Sequence, residues 1–405
     1  MATSTRRTFL KATAVGAGAT LAGPALAQLG NGAEVPVGDI PNRPVGRPMP
    51  ALTIDPPLPP SERLGWAICG VGNFAQNRMI PAIGRSSRAK LAGLISGNRD
   101  KALSVAERYG VTGDAIYDYA MEGLAEDERI AVVYVITPNG LHAENAVRAF
   151  EAGKHVMCEK PMANSPAECQ RIIDAARAAD RKLMIAYRAH FEPHNVAAKA
   201  LIDGGALGEV WYATSSHHRP LDPSMPRDQW RMLKDLAGGG SLPDIGIYAL
   251  NGIIDFFGET PSRLVANTFA PPGDPRFGEV EAIAQAQMIF PSGRRADISS
   301  GYIASENRFA LIGSEATAEL DPATSYEGNR LMVHRAEGSH TLAAGQSITQ
   351  FPAEVDHFCQ AITEDTPIKT PGEMGLRDVR LIEAIYRSAA ERRWVDLNPD
   401  GTMAS

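Results

Sequence analysis

Cysteine is scarce in this chain of 405 residues, which holds only four, Cys69, Cys158, Cys169 and Cys359. None forms a C-x-x-C pair and two lie in apolar strand-like runs, so a disulfide framework and a cysteine-based zinc site are excluded and buried thiols are expected. Long apolar runs are also missing. Beyond the amino-terminal leader no stretch is long and apolar enough to span a bilayer, and no membrane anchor is expected. Positive charge is in deficit, with 40 Lys and Arg against 47 Asp and Glu and a net charge of −7. Removing the leader's Arg6, Arg7 and Lys11 takes that to −10, a balance that disfavours nucleic acid as a partner. What remains is balanced, with 44% hydrophobic and 21% charged residues, and this length predicts a soluble globular protein of about two domains with a sizeable core.

The first 27 residues carry Thr5-Arg6-Arg7-Thr8-Phe9-Leu10-Lys11, a mildly apolar Ala/Gly stretch, and Ala25-Leu26-Ala27 as a small-residue cleavage site. Together they read as a twin-arginine export signal, so the mature protein is expected in the periplasm after passage through the twin-arginine machinery. Residues 28–62 are rich in proline and lack core-forming residues. They read either as a stiff linker or as an arm lying across a neighbouring subunit or a cofactor cleft.

Trp66-Ala67-Ile68-Cys69 is an apolar run that breaks into Gly70-Val71-Gly72-Asn73-Phe74-Ala75 and then a helix-like segment. This is the G-x-G-x-x-G/A spacing of a dinucleotide-binding turn. Its first glycine permits the tight turn, the second lets backbone approach a pyrophosphate, and the third small residue lets helix pack on strand. Further strand-like runs at 90–95, 131–136, 155–158 and 182–186 alternate with amphipathic segments at 142–152 and 166–179. The alternation predicts a doubly wound parallel sheet, a Rossmann domain, over 63–188. After the second strand comes Ser96-Gly97-Asn98-Arg99-Asp100-Lys101, without the acidic residue that an NAD-preferring site carries at the strand end. Ser96 and Asn98 offer hydrogen bonds, and Arg99 and Lys101 offer cations to a 2′-phosphate, which favours NADP over the alternative of solvated helix-start charges.

Two loops leave the carboxyl ends of these strands, Thr137-Pro138-Asn139-Gly140-Leu141-His142 and Glu159-Lys160-Pro161, where open sheets of this kind bind ligands. Lys160 reads as a catalytic lysine or as a surface lysine ahead of a proline. Beyond residue 188 consecutive strands at 209–217, 262–270, 281–290, 295–302 and 308–312 predict an α+β domain over 189–405 with a large open mixed or antiparallel sheet. The broad face of that sheet is a candidate dimer surface. Helical periodicity returns at 355–362 and 376–391, which are expected to pack back toward the first domain. Asp244-Ile245-Gly246-Ile247-Tyr248 places Asp244 and Tyr248 one helical turn apart if the run opens a helix. They then either meet one substrate or serve as a helix-start carboxylate and a packed tyrosine. His217-His218 reads as a strand end with its rings on opposite faces.

Gly70-x-Gly72-x-x-Ala75, Glu159-Lys160-Pro161 and Asp244-x-Gly246-x-Tyr248, in that order, resemble the Gfo/Idh/MocA oxidoreductases, and the resemblance covers nearly the whole mature chain, including residues 46–50, Gln229-Trp230-Arg231 and Gly238-Gly239-Gly240-Ser241. Most members carry histidine where this chain has Tyr248, and tyrosine looks like the periplasmic sugar-oxidoreductase branch. The resemblance implies Lys160 and Tyr248 as the catalytic pair, with Tyr248 exchanging a proton with sugar hydroxyls and Asp244 orienting them. A tyrosine that titrates near 10 in water needs a neighbouring cation, such as Lys160, to act as a base near neutrality. The resemblance also implies Pro138, Asn139, Leu141, His142 and Glu159 along the nicotinamide ribose, and Tyr117, Arg188, Trp230 and Arg231 on the cofactor. A homo-oligomer, dimer or tetramer, is a further implication.

An NADP enzyme in the periplasm meets no free nucleotide pool, so a loosely held cofactor is lost. Tightly bound NADP(H), loaded before export, with two sugars taking turns, is the workable arrangement. The expected activity is oxidation of an aldose to its aldonolactone and reduction of a second sugar, fructose or another aldose, to the alditol by a ping-pong cycle. The alternatives are an ordinary NAD(P)-dependent pyranose or inositol-type dehydrogenase with exchangeable cofactor, and an exported sugar-binding protein without chemistry. The joint presence of Lys160, Asp244 and Tyr248 speaks against the last.

Overall fold

A computed structural model describes residues 57–404. The export signal, residues 46–50 and most of the proline-rich arm lie outside the described residues. The end of the arm is tied to the fold by Leu58, whose N–H donates to the Ser87 carbonyl at 2.8 Å, and by Lys90, which reaches the Pro60 carbonyl at 3.0 Å.

Strands β1 (Leu64–Cys69), β2 (Ala89–Ile95), β3 (Ile116–Tyr117), β4 (Val132–Val135), β5 (His155–Cys158) and β6 (Leu183–Ile185) form a parallel sheet in the order β3-β2-β1-β4-β5-β6. The chain winds outward from β1 in one direction and then from β4 in the other. The crevice between those two strands, at their carboxyl ends, is where such sheets bind ligands. Alternate residues leave opposite faces. Trp66 and Ile68 enter a core with α1 (Ile80–Arg85), α2 (Arg99–Tyr109) and α9 (Gln350–Thr363), while Ala67 and Cys69 enter one with α3 (His142–Glu151), α4 (Pro166–Ala178) and α10 (Gly372–Glu391). Local chemistry sets the helix ends. Asn98 caps α2 by accepting from the Lys101 N–H, Gly110 closes it in the left-handed region, and Ser165 caps α4 ahead of Pro166.

Helix α5 (Pro193–Asp203) leads into the second sheet, which comprises β7 (Val210–His218), β8 (Arg263–Phe269), β9 (Ile283–Ile289), β10 (Arg295–Gly301), β11 (Glu306–Gly313), β12 (Thr317–Leu320), β13 (Leu331–Arg335), β14 (Gly338–Leu342) and β15 (Val395–Asp396). Their order is β14-β13-β12-β11-β7-β10-β9-β8-β15. The sheet is mixed, since β7 runs parallel to β10 and antiparallel to β11. Short helices α6 (Pro226–Gln229) and α7 (Lys234–Ala237) precede α8 (Ile247–Phe257), which packs with α10 against one face. The opposite face is open and carries Trp211, 52% exposed. All four cysteines are buried and unpaired.

The sequence reading did not anticipate β3, β12, β13, β14 or β15. The two-residue strands β3 and β15 are too short to show a period of two, and β14 is a mostly exposed polar edge strand. The helix carrying Asp244 and Tyr248 also differs from expectation. A π-helical turn over Leu242–Gly246, with Pro243 in it and so one N–H fewer to bond, precedes the regular helix α8.

Candidate active site

The glycine turn leaves β1 at the crevice between β1 and β4. Gly70 has φ of +103°, and a Cβ there would sit 2.7 Å from the Ile136 carbonyl oxygen at the end of β4. Any side chain would therefore push the two strand ends apart. Gly72 is the reverse case, since a Cβ added there meets nothing within 4 Å. Its backbone faces the open side of the turn, as a pyrophosphate-binding turn requires, with Ala75 fully buried behind it. The turn thus fits a dinucleotide. Asn73 is exposed, and Phe74 packs on Tyr326 at 5.8 Å and Phe351 at 6.0 Å.

A second cluster sits on the far side of Tyr326. Arg188, in the turn after β6, lies between two rings, 4.6 Å from the centre of Tyr326 and 4.7 Å from that of Tyr248. Its Nε donates to the Tyr248 hydroxyl at 3.1 Å, one terminal nitrogen donates to Gln350 Oε1 at 2.6 Å, and the other to the Thr324 carbonyl at 2.6 Å. Lys160, from the loop after β5, donates to the Asp244 backbone carbonyl at 2.6 Å, stands 3.9 Å from Asp244 Oδ1, and lies 4.9 Å from the Tyr248 ring centre. Lys160, Asp244 and Tyr248 thus converge, although Lys160 lies more than eighty residues before the other two.

Asp244 Oδ2 accepts three hydrogen bonds, from Arg231 Nε at 2.9 Å, Arg219 at 3.1 Å and the Tyr302 hydroxyl at 2.9 Å. Burial alone would raise this carboxyl, but Arg231, Arg219 and Lys160 outweigh it and hold the group ionised far below the usual carboxylate range. Oδ1, which among the described residues has Lys160 at 3.9 Å and no hydrogen bond, is the oxygen left to meet a ligand. Burial lowers the Lys160 ammonium against the opposing pull of Asp244 and Glu159. Burial also pushes the Tyr248 hydroxyl up to about 12, against Arg188. Here the structure departs from the expected pairing. The cation at the tyrosine oxygen is Arg188, while Lys160 faces the ring and makes no hydrogen bond to the hydroxyl.

Other candidate residues are engaged within the protein. Glu159 accepts from the Tyr134 hydroxyl at 2.7 Å and the Lys160 N–H at 3.2 Å, and burial raises its carboxyl. His142 is buried with Nδ1 2.9 Å from the Pro161 carbonyl and Nε2 2.8 Å from that of Thr137. Burial holds it down to about 4, so the neutral ring donates to one of the two and ties the loops after β4 and β5 together. Asn139 bonds the Ala237 carbonyl in the short turn that Pro138 opens and Leu141 closes. Arg231 is spent on Asp244 and stacks on Trp230 at 4.4 Å. At the end of β2, Ser96 and Asn98 bond each other, and Asn98 caps α2 through Lys101. Arg99 donates to the carbonyls of Ile116 and Gly113, and Tyr117 to Asp127 at 2.7 Å. These groups serve helix and strand ends, and of the two cations only exposed Lys101 has its side chain outside that network.

Sequence reasoning did not single out Arg219, Tyr302, Tyr326, Gln350 or Glu354. Arg219 follows the His217-His218 pair, and His217 is itself a neighbour of Tyr248, with near-parallel rings 6.0 Å apart. For Arg219 and Tyr302 the one sequence signal is position just past the ends of β7 and β10.

Two family models match the chain, "Oxidoreductase family, NAD-binding Rossmann fold" over residues 64–187 and "Oxidoreductase family, C-terminal alpha/beta domain" over residues 199–397. The crystal structure of aldose-aldose oxidoreductase from Caulobacter crescentus complexed with glycerol superposes with a TM-score of 0.80 at 41% identity, covering 83% of this chain and all of that one. D-xylose 1-dehydrogenase [NADP(+)] of Haloarcula marismortui is 31% identical over 337 residues, 82% of this chain and 93% of the relative. Levoglucosan dehydrogenase of Pseudarthrobacter phenanthrenivorans is 32% identical over 348 residues, 74% of this chain and 87% of the relative.

Proposed function

This chain belongs to the Gfo/Idh/MocA oxidoreductase family, and from that premise we propose an exported sugar oxidoreductase that keeps NADP(H) bound while two sugars react in turn. The observation that carries the reading is the convergence of Lys160, Asp244 and Tyr248 beside a turn whose open backbone fits a dinucleotide. The 41% identity to an aldose-aldose oxidoreductase supports the substrate class. The NADP-dependent xylose dehydrogenase and exposed Lys101 support the cofactor. Arg6-Arg7 and the A-x-A site support periplasmic export.

In this scheme Asp244 Oδ1 and Lys160 orient the sugar hydroxyls, and Tyr248 takes the proton of the anomeric hydroxyl as the aldose becomes its lactone. The same tyrosine gives that proton to the second sugar as it becomes an alditol. The first half starts from the Tyr248 phenolate, which Arg188 beside its oxygen favours, and the second half starts from the phenol that the first half leaves. When bound, the nicotinamide supplies the hydride chemistry. Gly70, Gly72, Asn73, Phe74 and Ala75 would hold its pyrophosphate side, and the loops carrying Pro138, Asn139 and Glu159 its ribose. Subunits would pair through the open face of the second sheet.

The test is the absorbance spectrum of purified mature protein with no nucleotide added. A reduced-nicotinamide band that rises with glucose and falls on adding fructose or a second aldose is the expected result. Turnover only with added NAD(P)⁺ would replace retention by an exchangeable cofactor, as in an ordinary sugar dehydrogenase.

A further inference from the structure

The polar groups around Tyr248 come from several elements. Glu159 and Lys160 approach from the loop after β5, His217 from β7, Asp244 from the turn before its own helix, Tyr326 from the loop after β12, and Tyr134 from β4. Among the described residues only one group donates to its hydroxyl oxygen, the Arg188 guanidinium, at 3.1 Å. That guanidinium is 5% exposed and fixed at its other end by Gln350 and the Thr324 carbonyl. Gln350 is in turn held, its amide donating to the carbonyls of Ser325, Tyr326 and Ser347. Behind Arg188 lies Glu354 of α9, 1% exposed, with Oε2 unpartnered. Burial raises the Glu354 carboxyl well above the usual carboxylate range, which weakens its pull on the arginine. Lys160, the residue the resemblance assigns to this task, points its ammonium at a backbone carbonyl and meets only the ring.

We infer that Arg188 is the positioning residue that sets the proton affinity of the Tyr248 hydroxyl, leaving Lys160 to act with Asp244 on the substrate. The inference rests on the proposed role of Tyr248 as proton carrier. The division of labour follows from chemistry, since an arginine stays charged at any working pH whereas a buried lysine loses its proton readily. A fixed guanidinium holds the phenol's acidity constant while Lys160 remains free to give or accept hydrogen bonds as sugars exchange.

The test places 3-fluorotyrosine, whose phenol is more acidic than that of tyrosine, at position 248 and follows its ¹⁹F signal against pH in the full-length mature protein. Removing a cation beside the oxygen disfavours the phenolate, so Arg188→Gln is expected to move the titration upward by about one pH unit or more, tenfold in proton affinity. Arg188→Lys should recover part of that shift, and it supplies a folded comparison if the glutamine variant does not fold. Lys160→Gln should move the titration less than Arg188→Gln. An Arg188→Gln titration that stays in place, or moves less than that of Lys160→Gln, overturns the inference. Because the signal needs no turnover, that outcome is separable from failure of the sugar chemistry, which the absorbance experiment reads.

Discussion

His217 illustrates how little of a side chain's duty its neighbours in sequence reveal. It lies at the end of a strand beside another histidine, yet it is 3% exposed, while His218 is only partly buried and bonds Ser299 at 3.0 Å. His217 contacts Thr324 Oγ1 at 2.8 Å and Ser215 Oγ at 3.2 Å, two hydroxyls that can match a neutral ring. Burial, with Arg188 and His218 adding to it, holds its pKa down to about 3. A group depressed in the folded state contributes stability that is complete above its unfolded pKa of about 6.5 and is lost as pH falls through the folded value. His142, held to about 4, acts in the same direction, whereas Asp244 begins to lose its contribution only below about pH 4. His217→Gln is therefore expected to flatten the fall in stability between about pH 6.5 and 3, by on the order of a few kcal/mol. Urea unfolding at several pH values checks this, and parallel curves for parent and variant would refute it.

Helix α9 makes a similar point about elements. Its Phe358 is fully buried and meets Trp66 of β1 edge-on at 6.0 Å, and Cys359 accepts from the Trp66 indole at 3.3 Å. The first sheet therefore draws part of the cover of one face, beside α1 and α2, from a helix at the far end of the chain. Phe358→Ala is expected to lower stability by about 3–5 kcal/mol, visible as a lower urea midpoint with the slope unchanged. What was legible in the sequence follows from burial in register. The runs of β1, β2, β4, β5 and β6 are apolar because both faces of that sheet are covered, and the glycine turn is legible because only glycine admits the φ of Gly70. Lys160, Asp244 and Tyr248 were singled out through resemblance, and the structure brings the three together. The hydrogen bond from Arg188 to Tyr248 was not legible, because it joins a loop of the first sheet to a helix of the second, and no local period encodes that distance. The π-helical turn was hidden for a different reason, since Leu242–Gly246 has the composition of any helix start.

Across the molecule as a whole, the second sheet has one face packed under α8 and α10 and one face open, on which Trp211 is 52% exposed. A large indole on an open sheet face is the kind of residue that anchors an interface. If copies of the chain pair through this face, Trp211→Glu should lower the mass measured by light scattering while leaving the circular dichroism spectrum unchanged. An unchanged mass would move the interface elsewhere. The Caulobacter enzyme superposes along its entire length, so the same question can be put to both proteins in parallel.

The position of α9 also bears on synthesis at the ribosome. β1, the glycine turn, α1 and α2 emerge early, but the part of the first sheet's face that α9 covers, at Trp66 and Phe74, stays bare until residues 350–363 have left the exit tunnel. Until then that face is only partly covered, and transiently exposed apolar surface of this kind is prone to aggregate. A premature stop codon anywhere before α9 therefore removes more than the end of the protein. It leaves the nucleotide half, translated in full, without the helix that completes the cover begun by α1 and α2.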